Sequence, residues 1–543
     1  MGRTSSIQKI KKPLGIFKRF LKNNSTLSTH NSSMKFNSKI INLFFALLLL
    51  SISVSAKDSA ADKQRNNYKG KAPKYIFYFI GDGMGLSQAN AAEAYMAAVN
   101  GQDGIQKLEM NKFPHHGFYT TNATNRFITG SAAAGTALAT GHKTSINTIG
   151  MDASKQKPLQ SVAEKARDLG YKVGIVSSVS IDHATPASFY AHQPSRSMYY
   201  DISLELSQSN FNYFAGGGIN HPVGDGKEEK NNILANFGMG GDKQIENKQP
   251  NSIDLAKERG YRVLNTKAEF NNLKKGDDKI IAIAPRLVGG KALPYAIDQN
   301  ENDIPLSEFT KKGIELLNNN KGFFMMVEGG KIDWTCHAND AATAIKEVMN
   351  FDAAIKVAVD FYNKHPKETL IVVGGDHETG GMSLGFSGSH YHSAFKLLQY
   401  QNISNDGFTE LVNEYKKNNM GNYKLEDGMA LIEKHFGLGN KTKELELSAL
   451  EKKQLKNAFE QSMKDNKEIK KDDQFYLLYG SYNPLAVTAC HILSQKAGIG
   501  WTSFSHTATP IPVKAIGVGS ELFSGYFDNT DMAKNIFRLL ELN

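Results

Sequence analysis

The chain has very few cysteines, since only Cys336 and Cys490 occur among its 543 residues. At most one intrachain disulfide can therefore form, and the sequence alone does not decide whether the two thiols pair. A disulfide-rich scaffold and a cysteine-rich zinc cluster are both excluded. Proline is also sparse, with 15 residues in an otherwise ordinary globular composition, so collagen-like and globally disordered classes are excluded.

Acidic residues are absent from positions 1–56, which carry nine lysines and arginines. These nine charges account for most of the net charge of +10, because the rest of the chain has 55 basic and 54 acidic residues. A nearly neutral body offers no broad basic surface for a phosphate backbone. The sequence therefore implies no nucleic-acid partner.

The N-terminal segment has the three parts of a signal peptide. The basic stretch Met34–Lys39 precedes the apolar run Ile40–Leu50, and small residues follow at positions 54–56. This order predicts that residues 1–56 are an upstream extension and a signal peptide (34–56), and that the mature chain is secreted to the periplasm or the extracellular space. The apolar run is short for a membrane span, so we expect no stable membrane anchor.

Short apolar runs alternate with helical patterns over most of the remaining chain. Runs of this kind predict buried strands, and the amphipathic spacing over 306–317 predicts one of the helices between them. The alternation predicts an α/β fold, with a mostly parallel central sheet and helices on both faces. The predicted strands are Tyr75–Ile80, Tyr171–Ser178, Gly322–Val327, Thr369–Val373 and Val513–Val518.

Two stretches break this alternation. Residues 208–300 are rich in Asn, Gly and Lys and predict a smaller insertion. Residues 385–503 are mainly helical by spacing and predict a largely helical insertion. The predicted catalytic α/β domain then covers residues 57–384 and is completed by residues 504–543.

Polar side chains follow the predicted strands at the point where each strand ends. Asp82 follows the first run, Glu328 the third, and Asp376 and His377 the fourth. In parallel sheets ligands bind at this edge, so we expect the four side chains to lie together. One Asp at a Gly-rich turn, or one Asp-His pair, is more often structural, and the recurrence at one edge is what favours a site.

Asp333, His337 and His506 add further oxygen and imidazole ligands. Asp333 and His337 are four residues apart, a spacing that places two side chains on one helix face, and His506 lies just before the last predicted strand. Carboxylates and imidazoles without thiolates suit zinc or manganese together with magnesium. His506 alone would more often be an ordinary hydrogen-bonded histidine.

Ser131 lies in the segment RFITGSAAAGTALATG, whose small residues predict a tightly packed helix that begins at about this serine. The unpaired N–H groups and positive dipole end of a helix N-terminus suit a phosphate and help to stabilise a serine alkoxide. Serine is also a common helix cap, so its position alone does not identify a nucleophile.

Six sequence blocks make the chain resemble the alkaline phosphatases. The blocks GDGMG, ITGSAAAGTALATG, HATPASFYAH, EGGKIDWTCH, GGDHETGG and HTATPIPV occur in the order found in that family and span residues 81–513. The resemblance implies hydrolysis of small phosphate monoesters through a phosphoserine, at a site with two zinc ions and one magnesium ion. Family members are commonly homodimers, so a homodimer is also expected.

The resemblance also implies a role for each candidate residue. Ser131 would be the nucleophile, and Arg196, in the segment AHQPSR, would grip two phosphate oxygens. The implied metal ligands are Asp333, His337 and His506 for the first zinc, Asp82, Asp376 and His377 for the second zinc, and Asp82, Thr185 and Glu328 for magnesium.

Two departures from the family pattern affect the expected site. The family usually has Asp directly before the serine, where it orients the arginine, and this chain has Gly130, so we expect a more mobile Arg196. One bacterial branch has Asp and Lys at the positions of His183 and Trp334, whereas other branches have His at the first position and still use magnesium. In this chain His183 would hydrogen-bond a metal-bound water, and Trp334 is equally consistent with packing.

Two other kinds of protein share parts of this pattern. A phosphodiesterase, sulfatase or phosphonate hydrolase of the same superfamily would share the two-metal core, but a third site from Thr185 and Glu328 favours a monoesterase. The Cys/Ser-x-Pro-x-Arg setting of a sulfatase nucleophile does not match Ser131 and the alanines after it. A non-catalytic secreted protein that binds metal or phosphate is favoured only by Gly130.

Overall fold

A computed structural model describes residues 68–224, 249–440, 442, 444–465 and 467–542. The chain divides into two compact units, residues 1–60 and 61–543, and every described residue belongs to the second unit. The predicted signal peptide and upstream extension lie outside the described residues. Within the described ranges, no helix is both long enough and apolar enough to cross a membrane.

Ten strands form the central sheet of the described chain, in the spatial order β14-β2-β13-β8-β1-β7-β3-β4-β6-β5, and two pairs, β10-β11 and β12-β9, lie outside it. Helices separate most strands of the central sheet along the chain, as the sequence predicts. The strands are β1 (Tyr75–Gly81), β2 (His115–Thr120), β3 (Lys172–Ser177), β4 (Tyr213–Gly216), β5 (Arg262–Leu264), β6 (Ile280–Ile283), β7 (Phe323–Glu328), β8 (Thr369–Gly375), β9 (Glu378–Thr379), β10 (Ser383–Leu384), β11 (Ile499–Gly500), β12 (His506–Thr507), β13 (Ile511–Gly517) and β14 (Gly525–Asp528).

Helices connect these strands. The α-helices are α1 (Leu86–Val99), α2 (Ser131–Thr140), α3 (Val162–Asp168), α4 (Ala184–Ala187), α5 (Tyr199–Gln208), α6 (Ser252–Glu258), α7 (Lys267–Asn271), α8 (Leu306–Leu317), α9 (Lys331–His337), α10 (Ala341–Tyr362), α11 (Asn405–Asn418), α12 (Leu425–Phe436), α13 (Ala449–Met463), α14 (Asp473–Tyr479), α15 (Pro484–Ala497) and α16 (Thr530–Leu540). Short 3₁₀ helices cover Glu109–Lys112, Gly289–Lys291, Phe395–Tyr400 and Ser520–Phe523.

The central sheet is parallel except at β13, which runs antiparallel to both of its neighbours, β2 and β8. The remaining pairs are parallel, so the predicted mostly parallel sheet is confirmed. The reversal places the residues that precede β13 at the edge where the other strands end. The prediction that β13 is the last strand is wrong, because β14 follows it and its sequence GYFD has no apolar run.

The middle of the sheet is buried on both faces. All seven residues of β1 are buried. Alternate side chains enter two hydrophobic clusters, since Phe77 and Phe79 pack in one cluster and Ile76 and Tyr78 pack in the other. A strand buried on both faces has no polar alternation, which explains the continuous apolar run in the sequence. Each such large apolar side chain contributes about 1.5–3 kcal/mol by its burial.

The segment near 208–300 extends the central sheet in its described part. β4, β6 and β5 continue the sheet beyond β3, and all of these neighbours pair in parallel. Strands of three or four residues hold too few apolar positions to give a clear pattern, so the sequence predicted a smaller insertion here and no individual strands. The domain boundaries themselves stay a prediction.

The described part of residues 385–503 is largely helical, as predicted, with α11–α15 as its main elements. Phe408 on α11 belongs to the same hydrophobic cluster as Phe77 on β1, so these helices share a core with one face of the sheet. Cys336 and Cys490 are both buried in this cluster as free thiols and do not form a disulfide.

His192, four residues before Arg196 in sequence, links helices α3 and α5. Its Nδ1 lies 3.2 Å from Glu205 on α5, and its Nε2 lies 3.4 Å from Glu164 on α3. Burial alone would lower the pKa of His192, but hydrogen bonds and charge attraction from Glu164 and Glu205 outweigh it and raise the pKa to about 10. His192 is therefore a cation in the folded protein at neutral pH.

We expect His192→Gln to lower the free energy of unfolding by about 1–3 kcal/mol at pH 7, because it removes the cationic partner of two partly buried carboxylates. The folded-state pKa is above the unfolded value of about 6.5, so this contribution is complete below pH 6.5 and is lost as the pH rises through 10. Urea unfolding of wild type and variant at several pH values measures the difference, which should shrink toward pH 10.

The exposed His142 offers a matched control. His142→Gln should change the unfolding free energy by less than about 0.5 kcal/mol at any of these pH values. A deficit in His192→Gln that is equal at pH 7 and pH 10.5 would show that the imidazolium does not stabilise the fold through its two carboxylates.

Candidate metal centre and active site

Three of the predicted carboxylates lie where three neighbouring strands end. Asp82 follows β1, Glu328 ends β7 and Asp376 follows β8, and all three side chains are fully buried. Gly83 allows the turn after Asp82, because its φ is +73° and a Cβ there would lie 2.7 Å from the Cα of Asp333. The sheet therefore brings these carboxylates to one edge, as the sequence predicts.

His506 reaches the same edge from near the end of the chain. Because β13 is reversed, the residues before it lie beside the ends of the parallel strands. β12 pairs antiparallel with β9, so that His506 lies opposite Thr379, two residues after His377. The rings of His506 and His377 stack with their centroids 3.6 Å apart.

Asp333, His337 and His506 form the first group of possible metal ligands. The Nδ1–H of His337 donates to the Phe504 carbonyl at 2.7 Å. The Nδ1–H of His506 donates to the Thr129 carbonyl at 2.9 Å. Since a carbonyl can only accept, Nδ1 carries the proton and Nε2 the lone pair whenever either ring is neutral, and the two Nε2 atoms lie 3.1 Å apart and 3.4 and 3.6 Å from Asp333 Oδ1. Lone pairs and a carboxylate that converge in this way fit a cation.

The helix that carries two of these ligands is short. Asp333 and His337 lie one turn apart on α9, which ends before the long helix α10 begins. The two side chains therefore lie on one helix face, as the i, i+4 spacing predicts, and that helix is separate from α10. Asp333 is buried and His337 is partly exposed, so this group borders the solvent.

Asp82, Asp376 and His377 form the second group, and all three are fully buried. His377 Nε2 lies 3.1 Å from Asp376 Oδ2 and 3.6 Å from Asp82 Oδ1. The other oxygen of Asp376 accepts from the backbone N–H groups of Gly83 and His377, at 3.1 and 2.8 Å. Ser131 Oγ lies 3.4 Å from His377 Nε2, so the predicted nucleophile adjoins this group.

Asp82, His183 and Glu328 form the third group, so Asp82 is common to two groups. Thr185 Oγ1 donates to Asp82 Oδ2 at 3.2 Å, and the Ser177 hydroxyl donates to Glu328. Thr185 therefore lies beside this group, as the sequence predicts. Two carboxylates and a hydroxyl make the donors of this group mainly oxygen.

The charge in these groups is not balanced by the described residues. Burial, and then the charges of Asp376, Asp333 and Glu328, raise the pKa of Asp82 well above the ordinary value. Burial also raises the pKa of Glu328 to about 8. Buried carboxylates without donors are costly unless cations neutralise them, so these residues fit hard metal ions. The buried atoms without a hydrogen-bond partner among the described residues include Asp82 Oδ1, His183 Nδ1, Glu328 Oε1 and Asp376 Oδ2.

Ser131 is the first residue of α2, as predicted. Gly130 is the N-cap, with extended backbone (φ −138°), and has no side chain to occupy the first-turn N–H groups. A Cβ at position 130 would have only His506 Cε1 nearby, at 4.0 Å. All ten residues of α2 are buried, which holds the serine firmly, while the helix N-terminus can accept an anion.

The family model for alkaline phosphatase matches residues 73–542. The chain belongs to the alkaline phosphatase family. Alkaline phosphatase 3 of Bacillus subtilis (strain 168) is 31% identical over 491 residues, which cover 89% of this chain and 92% of that protein. Alkaline phosphatase 4 of the same organism is 30% identical, with 91% of this chain and 95% of that protein covered.

A solved structure agrees with this assignment. The cold-active alkaline phosphatase of Shewanella sp. matches with a TM-score of 0.66 and 27% identity, and the match covers 86% of this chain and 99% of that one. The chain itself is a phosphate monoester hydrolase. The comparisons therefore favour the predicted monoesterase over the diesterase, the sulfatase and the non-catalytic binding protein.

The phosphatase holds Arg196 by a contact that the sequence did not predict. Arg196 Nη2 donates to His183 Nε2 at 2.9 Å, and its backbone N–H donates to the Asn147 carbonyl at 2.7 Å. The ring of Trp334 packs edge-on against His183, with centroids 5.8 Å apart, as its packing interpretation predicts. The expected higher mobility of Arg196 next to Gly130 stays a prediction, because contacts alone do not measure mobility.

Two residues of the phosphatase site escaped the sequence analysis, although both lie in the segment GGDHETGG. Thr379 Oγ1 donates to Asp333 Oδ1 at 2.6 Å and lies 3.3 Å from His377 Nδ1, so one hydroxyl links the first two groups. The buried Glu378 accepts from the Thr507 hydroxyl and thereby joins β9 to β12. A hydroxyl or carboxylate that acts through a ligand leaves no spacing pattern of its own.

We expect Thr379→Val to weaken metal binding by roughly 10–100-fold, because the hydroxyl orients both Asp333 and His377. Competition between the loaded protein and a graded series of chelators, with bound metal measured by atomic emission, gives the affinity. Valine keeps the shape of threonine, so a change reports the lost hydrogen bonds.

Thr335→Val is the matched control for this substitution. Thr335 is also buried and lies between two ligands in sequence, but its hydroxyl donates to the Ile332 carbonyl of its own helix at 2.7 Å. We expect Thr335→Val to retain metal as the wild type does. Equal metal loss in the two variants would contradict the assigned role of Thr379.

Proposed function

We propose that this chain hydrolyses phosphate monoesters by transferring the phosphoryl group first to Ser131 and then to water, at a centre of two zinc ions and one magnesium ion. The observation that carries the proposal is the position of Ser131 Oγ, 3.4 Å from Nε2 of His377, the ring nitrogen that also faces Asp376 and Asp82. His377 belongs to one ligand group, and its ring stacks on that of His506, which belongs to another. A phosphate group on Ser131 would therefore lie beside both groups.

The donor sets support zinc in the first two groups and magnesium in the third. Imidazole and carboxylate in the first two groups suit zinc, and the oxygen donors of Asp82, Thr185 and Glu328 suit magnesium. When bound, the ions supply positive charge to the attacking, transferred and leaving oxygens. The proposed ligands are Asp333, His337 and His506 for the first zinc, Asp82, Asp376 and His377 for the second zinc, and Asp82, Thr185 and Glu328 for magnesium.

Ser131 carries the covalent step. Its hydroxyl proton passes to water, Oγ bonds to phosphorus, and the ester P–O bond breaks so that the alkoxide leaves with the bonding electrons and takes up a proton from water. Water then attacks the phosphorus, the Oγ–P bond breaks, and Oγ regains a proton as inorganic phosphate leaves. The N-terminus of α2 favours negative charge at Oγ throughout, and the buried helix keeps Oγ in place for attack.

Arg196 binds the phosphate in this proposal. Its guanidinium is planar and has paired N–H donors, which match two oxygens of a phosphate better than a lysine ammonium does. One of its nitrogens is already bonded to His183, so that the side chain has a defined direction before substrate binds.

We expect Ser131→Ala to lower kcat for p-nitrophenyl phosphate by at least roughly a thousand-fold, because no oxygen remains to accept the phosphoryl group. Bound zinc and magnesium should stay at the wild-type level, because no proposed ligand is changed. Acid quenching of the wild type during turnover, followed by peptide mass analysis, should give a phosphate on Ser131.

Ser188→Ala controls for the loss of a buried serine hydroxyl nearby. Ser188 Oγ donates only within its own turn, to the Ala184 carbonyl at 2.9 Å, so this variant should keep its activity. Two results would contradict the phosphoserine step. One is a wild-type protein that releases phosphate from the monoester without a phosphate on Ser131. The other is an equal loss of activity in Ser131→Ala and Ser188→Ala.

We also propose that the chain is exported through its N-terminal segment. The support is the order of a basic stretch, an apolar run and small residues over positions 34–56. N-terminal sequencing of the protein recovered outside the cytoplasm should begin at Lys57. Recovery of the protein with residues 34–56 still attached would contradict cleavage at this site.

A further inference from the structure

His183 lies between the third ligand group and the proposed phosphate-binding arginine. Its ring is 8% exposed, and each nitrogen has a different surrounding. Nε2 accepts a hydrogen bond from Arg196 Nη2 at 2.9 Å. Nδ1 is buried and has no hydrogen-bond partner among the described residues, although one ring nitrogen lies within 4.8 Å of ligand oxygens of Asp82 and Glu328.

The contact with Arg196 fixes the tautomer of His183. A guanidinium has only donors, so the nitrogen that faces it must carry a lone pair, and the proton of the neutral ring is then on Nδ1. A protonated Nδ1 donates a hydrogen bond and does not ligate a metal. The imidazole can therefore accept from the arginine through Nε2 while its Nδ1–H is left as a donor without a partner among the described residues.

The backbone around both side chains is held in place. His183 is the N-cap of α4, and the turn before it is fixed by Asp182, whose carboxylate accepts from the backbone and side-chain N–H groups of Asn220 at 2.8 and 3.2 Å. Arg196 is anchored through its backbone N–H to the Asn147 carbonyl. Because the Arg196 backbone and the His183 ring that it contacts are both held in place, the arginine side chain can adopt fewer conformations before it binds an anion. Less conformational entropy is then lost on binding.

Position 130 cannot orient Arg196, because Gly130 has no side chain and leaves open space toward His506. Among the described residues, His183 is the side chain that accepts a hydrogen bond from the Arg196 guanidinium. The direction of the arginine therefore depends on this imidazole.

We propose that His183 is a positioning residue that holds Arg196 ready to bind the phosphate group, as a neutral imidazole that accepts through Nε2. The inference rests on the proposed role of Arg196 in substrate binding. It assigns to His183 an effect on phosphate affinity that passes through Arg196.

Inorganic phosphate is the probe that tests this role without turnover. Calorimetry with the metal-loaded Ser131→Ala protein gives its affinity when no phosphoserine can form. In that background His183→Leu, which keeps a similar size but removes the acceptor, should weaken phosphate binding roughly 10–100-fold, the usual effect of losing a hydrogen bond to a charged group. His183→Gln, whose amide oxygen can accept near the position of Nε2, should recover most of that loss.

A double-mutant cycle separates positioning from general damage to the site. If His183 acts through Arg196, then His183→Leu should have almost no further effect once Arg196 is replaced by alanine. The same factor in both backgrounds would overturn the proposal, and so would a His183→Leu protein that binds phosphate as tightly as its parent. Bound metal is measured in every variant, and loss of metal that parallels the loss of phosphate affinity would also overturn it.

The proposed function can fail separately. If the wild type turns over monoesters through Ser131 and His183→Leu leaves phosphate affinity unchanged, the phosphoserine mechanism stands and only the positioning role is removed. Metal-loaded wild type that neither turns over a monoester nor binds inorganic phosphate would instead remove the proposed function, and the positioning role with it.

Discussion

The carboxylates of Asp82, Glu328, Asp333 and Asp376 lie together at the edge of a buried sheet, and none is more than 4% exposed. Several of their oxygens have no donor among the described residues. Water cannot screen charges at such a site, so positive ions are the natural counterpart of this cluster. His337 and His506 are oriented toward the same cluster, because each Nδ1 is hydrogen-bonded to a backbone carbonyl and each Nε2 faces Asp333.

The sheet explains how residues that are distant in sequence meet at this charge. Three adjacent parallel strands deliver one carboxylate each, and the reversed β13 brings in His506 from the opposite direction. The tight pairing of β9 with β12 then sets His506 against the segment that carries His377. The fold thus supplies the positions of the ligands, and the tautomers and hydrogen bonds around them supply the directions.

The sequence could predict those parts of the molecule that repeat or that carry a distinctive chemistry. Apolar runs identified β1, β7 and β8, and the polar residues at their ends identified most of the site. It missed β14 and the strands of residues 213–283, because strands of three or four residues give no period. It also missed Thr379 and the bond from Arg196 to His183, which depend on tertiary contacts between segments with no local pattern.

The late position of His506 along the chain has a consequence for biosynthesis. The first ligand group includes Asp333, His337 and His506, so a growing polypeptide lacks part of this group until position 506 has been made, 169 residues after His337. A partly synthesised chain would hold clustered acids without their full complement of imidazoles. The first group of ligands is therefore complete only after β12 has been synthesised and has paired with β9.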